Sequence, residues 1–434
     1  MLDVTLIRQH PDRVRDALRK RGVDAGLPAF LALDAEFRAA RAAVERLRAE
    51  RRRVSADIAT HRRAVARAAA APQDDAGLLA DAARLADRVA EAEAALALLA
   101  RRHQDFLDSL PNLPDDDVPA GGKEANEVLR TCGALPALDF PAKDHITLTE
   151  ELGLVDHRRG ASLAGSGNWV YRGPGAALEW ALLNHFLDTH RRAGYEFVLP
   201  PHQLAYEAGY TAGQFPKFAD EVYVTERGAD GRPERFLLPT AETALVSLHR
   251  GETLDERDLP LKYVSYTPCY RKEAGGYRTA ERGTLRGHQF NKVEMVQYVR
   301  PEESEAAQLE LLARAEELVA GLGLRYRVVR LAAGDTSPAQ VKTYDVEVWL
   351  PSLGAYAEVS SVSNARDYQA RRGLIRWRPA DGGKPQYVHT LNASGLATSR
   401  LLPALLEQHQ RPDATVAVPE VLRRWGAPAL LRAR

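Results

Sequence analysis

Between Leu33 and Val65 apolar residues recur at Leu33, Phe37, Ala40, Val44, Leu47, Val54, Ile58 and Val65. The steps follow a four–three rhythm, with Arg51 and His61 at the positions where an apolar residue is skipped. A seven-residue repeat of this kind lays a narrow apolar seam along a helix. Pro72, Asp74, Asp75 and Gly77 then break the pattern within AAAPQDDAG at 69–77. The rhythm resumes at Leu78, Ala82, Leu85, Val89, Ala92, Leu96, Leu99, His103, Phe106 and Leu110, and LPNLP at 110–114 ends it. Neither seam is wide enough to bury itself in a globule, so two helices joined by one short turn must close on each other. The pattern predicts an antiparallel helical hairpin over residues 30–108, roughly 50 Å long at about 1.5 Å per residue.

The next stretch, 111–142, contains PNLPDDDVPAGGKEAN and reads as a linker after an N-terminal domain of residues 1–110. From 143 to 434 the texture changes. Short β-rich runs such as KYVSYTPCYR and YDVEVWLP alternate with helical stretches such as ALEWALLNHFLDTHRRAG. Strands outnumber crossover helices here. The expected class is α+β, the hairpin arm followed by a mainly antiparallel sheet flanked by helices.

Charge changes this picture only locally. Lys+Arg and Asp+Glu both number 59, so net charge neither favours nor excludes nucleic acid. RRRVSADIATHRRAVAR, however, holds six arginines against one aspartate, among them Arg51, Arg52, Arg53, Arg62 and Arg63. Such a run is either a solvated helix face or a basic rod that tracks a phosphate backbone. Cys132 and Cys269 form no CxxC pair, so no cysteine zinc site is expected, and the lack of a disulfide framework fits a reducing cytosol. MLDVTLIRQHPDRVRDALRKRG lacks the apolar core of a signal peptide, and the chain has no apolar run of membrane-spanning length (about 18 residues). The expected location is cytoplasmic.

Four segments of the second half carry dense polar chemistry on strand-like frames. They are LLPTAE, ending Thr240-Ala241-Glu242; Cys269 to Val296; Ala357 to Arg372; and His389 to Gln410. In the second, YRKEAG is expected to enter as a strand with Arg271 and Glu273 on one face, and HQFNKVEMV to return with Phe290 and Glu294 on one face. Two arginines, two carboxylates and an aromatic suit a phosphorylated ligand with a flat base. The same pairs also occur as solvated cross-strand ion pairs. In the fourth segment a strand is expected to end at Asn392, with Arg400 one turn into a helix, aimed at the same ligand.

These segments resemble the bacterial seryl-tRNA synthetases, of class II, along nearly the whole chain. GAALEWALLNHF running into GYEFVLPP is similar to motif 1, YRKEAG through HQFNKVE to motif 2, and NASGLATSR to motif 3. TAE at 240–242, GQFPKF and KTYDVEVWLP also match, and no HIGH or KMSKS string of class I is present. The resemblance implies that Arg271, with its neighbour Lys272, holds the ATP α-phosphate and the serine carboxylate, that Glu273 meets the adenine amino group, and that Phe290 stacks on the ring. It implies further that Arg400 binds the γ-phosphate, that Gly287 makes a backbone contact near ATP, and that the run Glu358, Val359, Ser360, Ser361 lines ATP. Glu358 and Ser361 would hold its Mg²⁺, and no zinc is implied. Thr240, Ala241, Glu242, Glu294, Asn392 and Ser394 would line the serine pocket together with Arg271. The implied activity is serine–tRNA ligation through seryl-adenylate, on tRNA(Ser) and also tRNA(Sec), by a homodimer whose basic arm grips tRNA across subunits.

The chain departs from the family at Gly275–Arg282, which reads GGYRTAER, and at GDTSPAQ, residues 334–340, where a glycine-rich run is usual. Val362 replaces a cysteine and Ala393 a glycine. These departures leave two alternatives open. One is a divergent second copy serving antibiotic biosynthesis or self-resistance, and the other is a non-catalytic RNA-binding paralogue.

Overall fold

A computed structural model describes residues 1–67, 76–273 and 283–433. Gly275–Arg282 and residues 68–75 of the predicted interhelical break lie outside the described residues. The chain divides into two compact units. One comprises Asp3–Arg15 and Asp24–Leu110; the other comprises Met1–Leu2, Asp16–Val23 and Pro111–Arg434.

The first unit is built on two long helices, α1 (Leu27–Arg67) and α2 (Ala76–Ser109). They run antiparallel. Phe30 stacks on Phe106 with ring centroids 4.7 Å apart, while further along α1 Arg48 Nε donates to Glu93 Oε1 at 2.9 Å. The seam follows the predicted rhythm: Val44, Leu85, Val89 and His103 are buried, and Phe37, Leu47, Val54, Ile58 and Leu96 are half-buried. Arg51, Arg52, Arg53, Arg62 and Arg63 are exposed on α1.

A residue outside the predicted rhythm is also buried. Asp34 is 1% exposed and accepts from Arg8 Nε and Nη2 at 2.8 and 2.6 Å and from Arg38 Nε at 3.0 Å. Its Oδ1 also lies 3.0 Å from His103 Nε2, and the His103 ring packs against Phe30 and Phe37 at 5.0 and 4.8 Å. A buried carboxylate is tolerated when its oxygens are paired. The Arg8 hydrogen bond is the largest influence holding the Asp34 carboxyl down, to about 2.

The second unit is organised by an eight-stranded sheet. Its strands are β1 (Glu127–Cys132), β2 (Glu196–Phe197), β3 (Leu261–Tyr270), β4 (Gln289–Val299), β5 (Tyr326–Arg330), β6 (Lys342–Leu350), β7 (Ala355–Arg366) and β8 (His389–Ala397). Across the sheet they lie in the order β1-β5-β6-β7-β8-β4-β3-β2. All neighbours are antiparallel except β2 and β3. Residues 111–142, read from the sequence as a linker, thus contribute the edge strand β1.

Helices α3 (Pro174–Arg192), α4 (Ser304–Gly321) and α5 (Thr398–Gln408) share one apolar cluster with this sheet. Leu178, Leu182 and Phe186 of α3, Leu311 and Leu318 of α4, and Leu401 and Leu405 of α5 meet Val293 and Met295 of β4 there. Side chains alternate across a pleated strand. With Val293 and Met295 committed to the core, Phe290, Lys292 and Glu294 project from the opposite face. Further along that face Val296 and Tyr298 enter a second cluster with Leu245, Tyr263 and Trp377. The polar patch is therefore confined to one end of the central strands. Among the described residues no helix is long and apolar enough to cross a membrane.

The Asp34 cluster makes a stability prediction. Its carboxyl is held below the ordinary range, so its contribution is full above the unfolded pKa and fades as pH falls toward about 2. Asp34→Ala should destabilise the helical hairpin by about 1.5–3 kcal/mol at pH 7, the scale of hydrogen bonds to charged groups. Urea unfolding followed by helical circular dichroism should show this difference shrinking below pH of about 4. A difference that stayed constant down to pH of about 2.5 would rule out an ionised Asp34 as its source.

Candidate functional site

The register of β4 sets the site. Glu294 pairs with Ser394 of β8 on one side and with Ser265 of β3 on the other, in the middle of the sheet. Glu294 is fully buried and is met by four groups. Asn392 Nδ2 donates to its Oε1 at 3.0 Å, Ser394 Oγ donates to its Oε2 at 3.4 Å, and Lys292 Nζ lies 2.5 Å from Oε2 while also donating to Thr240 Oγ1 at 2.7 Å. The fourth, Glu242, raises the negative charge rather than lowering it.

Glu242 lies in the first turn of the short helix Ala241–Leu245, which Thr240 caps through its side-chain oxygen. Its Oε1 accepts from Gln369 Nε2 at 3.0 Å and Gln340 Nε2 at 3.4 Å. Burial, and then the charge of Glu294, push the Glu242 carboxyl up to about 7. Lys292 and Arg271 act the other way. Gln340 also reaches Asn392 Oδ1 at 3.5 Å, and its own Oε1 has no hydrogen-bond partner among the described residues. The loop carrying Gln340 is pinned by Arg21, whose guanidinium donates to the carbonyls of Ala333, Thr336 and Gln340.

Beside this polar chain opens a cleft enclosing about 560 Å³ of space, open solvent included. Arg271, Glu273, Gly287, Phe290, Lys292, Glu358, Val359, Ser394 and Arg400 line it, with Leu285, Arg286, Ala397 and Ser399. The Arg271 guanidinium lies over the Phe290 ring, 5.2 Å from its centroid, and its Nε donates to Pro239 O at 3.2 Å. Arg400 Nη1 lies 3.2 Å from Glu358 Oε2, and its Nε donates to Leu285 O at 3.3 Å. Gly287 is required by close approach, since a Cβ there would collide with the Trp169 ring and sit 2.7 Å from Gly167 O.

Two sequence expectations need correcting. Strand β3 ends at Tyr270, so Arg271 and Glu273 do not share a strand face. They follow it in irregular backbone, where Glu273 takes a positive φ of 50°. Few non-glycine residues adopt that region, and those that do concentrate at functional sites. The second correction concerns Asn392, which does not end its strand. β8 runs on to Ala397, and the small residues Ala393 and Gly395 lie within it. A Cβ at Gly395 would press into the His190 ring, which explains the small side chain.

The remaining expected residues fall around the cavity rather than in its wall. Ser360 is buried and donates to Ser394 O at 2.6 Å. Ser361 is half-buried opposite Asp345. Ala241 is buried, and Lys272 donates its backbone N–H to Glu221 O at 3.0 Å.

Sequence reading missed several participants. Arg286 lines the cavity and pairs with Glu273 at 2.5 Å. Gln340 and Gln369 hold Glu242 from distant segments. Asp345 is buried beside Ser361 and Glu358, its carboxyl raised by burial first and by the Glu358 charge second. Glu179 of α3 accepts from Asn291 Nδ2 at 2.8 Å and Thr398 Oγ1 at 2.6 Å, tying α3 to β4 and to the start of α5; burial raises it to about 7. Arg286 had a signal within motif 2, but the other four depend on packing between segments far apart in sequence.

Comparison with known proteins follows the same outline. Residues 1–114 match the family described as the seryl-tRNA synthetase N-terminal domain. Residues 223–409 match the tRNA synthetase class II core domain (G, H, P, S and T). The chain is 51% identical over 425 residues to serine–tRNA ligase 2 of Clostridium acetobutylicum, covering 98% of this chain and 99% of that one. It is 44% identical over 430 residues to serine–tRNA ligase of Chlorobaculum parvum, covering 98% of each. The crystal structure of seryl-tRNA synthetase from Pyrococcus horikoshii complexed with ATP superposes with a TM-score of 0.89 at 34% identity, covering 100% of both chains.

The paired carboxylates generate a second prediction. Glu294→Gln removes a neighbouring negative charge, so the Glu242 pKa should fall from about 7. It should stay above the ordinary carboxylate range, because burial, the larger cause, persists. Carboxyl titration by ¹³C NMR measures it, and an unchanged or higher value would remove the coupling.

Proposed function

The chain belongs to the class II seryl-tRNA synthetase family, and we propose that its cavity and paired carboxylates bind ATP and L-serine, form seryl-adenylate and pass the seryl group to tRNA. The observation that carries this reading is the join at Lys292 and Ser394, which belong both to the cavity wall and to the carboxylate cluster. A triphosphate site and an amino-acid site thereby share a border. That border is where the two substrates must react.

In this reading Phe290 offers a face to the adenine ring, and Glu273, held by Arg286, meets its amino group. Arg271 stands between the two sites, where its guanidinium spans the α-phosphate and the serine carboxylate, with Lys272 following in the chain. Arg400 meets the γ-phosphate, and the Gly287 backbone comes close to ATP. Thr240, Ala241, Glu242, Glu294, Asn392 and Ser394 surround serine. Carboxylates and side-chain amides paired to an ammonium and a hydroxyl reject a substrate lacking either, because they would be left buried and unmatched.

The Glu358 carboxylate and the Ser361 hydroxyl, on β7 and beside buried Asp345, are hard oxygen donors that fit Mg²⁺ arriving with ATP. Among the described residues no group of three His, Cys, Asp or Glu is placed to hold a metal by itself. When bound, Mg²⁺ neutralises phosphate charge. The chain's own residues do the positioning. A serine carboxylate oxygen attacks the α-phosphorus in line, the new O–P bond forms as the bond to the β-phosphate oxygen breaks, and pyrophosphate leaves with the electron pair. The terminal hydroxyl of tRNA then attacks the mixed anhydride.

Exposed Trp180, Phe197 and Leu199, on α3 and around β2, support a homodimer formed through the motif 1 region. The exposed arginines of α1 support a grip on the backbone of tRNA(Ser), and of tRNA(Sec) where the host has it, bound to the other subunit. The location that suits this reaction is the cytosol. An intact set of ATP and serine ligands favours catalysis over an RNA-binding scaffold.

Serine-dependent ATP–pyrophosphate exchange followed by charging of tRNA tests the assignment. Arg271→Ala should lower exchange by about 10³-fold or more, the upper range for losing one oriented charge at a reacting centre. Replacing Arg51, Arg52, Arg53, Arg62 and Arg63 with alanine should leave exchange intact, raise KM for tRNA about 10-fold or more and flatten its salt dependence. Charging that survived all five substitutions unchanged would remove the arm from tRNA recognition.

A further inference from the structure

Lys292 sits where the amino acid belongs. Its Nζ lies 2.5 Å from Glu294 Oε2 and 2.7 Å from Thr240 Oγ1, the two oxygens best placed to receive the ammonium of serine. Its side chain is almost wholly buried, and the same residue lines the ATP cavity together with Arg271 and Ser394. A lysine ammonium and an amino-acid ammonium are chemically alike, each a compact cation with three donors. They cannot both occupy one carboxylate oxygen at hydrogen-bond distance without strong repulsion.

We propose that Lys292 is a catalytic residue that the serine ammonium displaces from Glu294 and Thr240 into the cavity, where it meets the reacting carboxylate and α-phosphate. This inference rests on the functional reading above and goes beyond it. Three features make the move physically sound. The lysine stem is flexible and already forms part of the cavity wall. Glu242 and Glu294 keep their neutralising partner, because the arriving ammonium replaces the departing one. The charge that Lys292 leaves with is delivered to the place where negative charge gathers as the carboxylate oxygen bonds to the α-phosphorus and pyrophosphate departs with its electron pair. No proton is transferred in the step. Occupancy of the amino-acid site thereby completes the cation set of the phosphate site, so ATP bound alone meets one cation fewer and is not activated.

The kinetic signature separates this role from a structural one. Lys292→Met keeps the length of the side chain and removes its charge. In serine-dependent exchange at pH 8, kcat should fall about 10²–10³-fold, the range for loss of one preorganised electrostatic donor. The serine Kd, measured by calorimetry without ATP, should fall several-fold, because the internal competitor is gone. Loss of kcat with tighter ground-state binding marks a group that competes before the reaction and assists during it. Serine binding that weakens in step with kcat, or kcat that stays at the wild-type level, would overturn the proposal. Lys292→Arg should recover part of kcat while Met does not. If the Met variant fails to fold, the wild-type protein crystallised with a non-hydrolysable seryl-adenylate analogue decides the matter. Lys292 Nζ within hydrogen-bond reach of the phosphate-mimicking group supports displacement, and Nζ still on Glu294 refutes it. A wild-type enzyme without serine-dependent exchange would defeat the functional reading itself.

Discussion

Two carboxylates, fully buried Glu294 and half-buried Glu242, share one pocket, and the site is arranged around making that tolerable. Burial first and the charge of Glu294 second push the Glu242 carboxyl up to about 7. The neutralising groups are Lys292 and Arg271, supported by side-chain donors from Gln369, Gln340, Asn392 and Ser394. Those six residues come from the motif 2 segment, two separate loops or short helices, and β8. Removing either cation leaves the negative charge less compensated, a shortfall that a proton or another cation must meet. That requirement suits a pocket whose ligand arrives carrying an ammonium.

The sheet makes the burial possible. In the register of β4 between β3 and β8, Glu294 lies opposite Ser265 and Ser394, two small residues that leave room for the carboxylate. The reverse face of the same strand puts Val293 and Met295 into the core shared with α3, α4 and α5. A one-residue slip would send Glu294 into that core and the apolar pair into the pocket. The apolar cluster therefore enforces the register, and the register places the chemistry. Glu179 adds a second lock, since its carboxyl joins α3 to Asn291 of β4 and to Thr398 at the head of α5, two residues before Arg400, which turns toward Glu358.

Much of this was legible in the sequence, for identifiable reasons. The seam of the hairpin could be read because a helix repeats every few residues, so Val44, Leu85 and Val89 announce their burial locally. Strand alternation likewise put Phe290 and Glu294 on one face. What stayed hidden depends on contacts between distant segments or on local backbone that no period describes. Gln340 and Gln369 gain meaning only when their loops close on Glu242, and the seam rhythm passes over Asp34, which is buried beside Arg8 and His103. Glu273 was placed on a strand face because alternation was extended one turn too far, past Tyr270 into backbone with a positive φ.

The arm and the catalytic body solve one physical problem in two ways. In the arm, Asp34 keeps its charge because Arg8, Arg38 and His103 surround it, and its carboxyl is held near 2. In the body, Glu242 has amide donors and shared cations but no cation of its own, and its carboxyl rises to about 7. The difference follows from use. A carboxylate that fixes the register of two helices gains by being saturated within the chain, since a fully paired group has one geometry. In the proposed reading a carboxylate pair that takes a ligand shares its cations, and the incoming ammonium makes up the shortfall for the pair. In that reading the raised pKa of Glu242 is the cost of keeping a place for substrate charge.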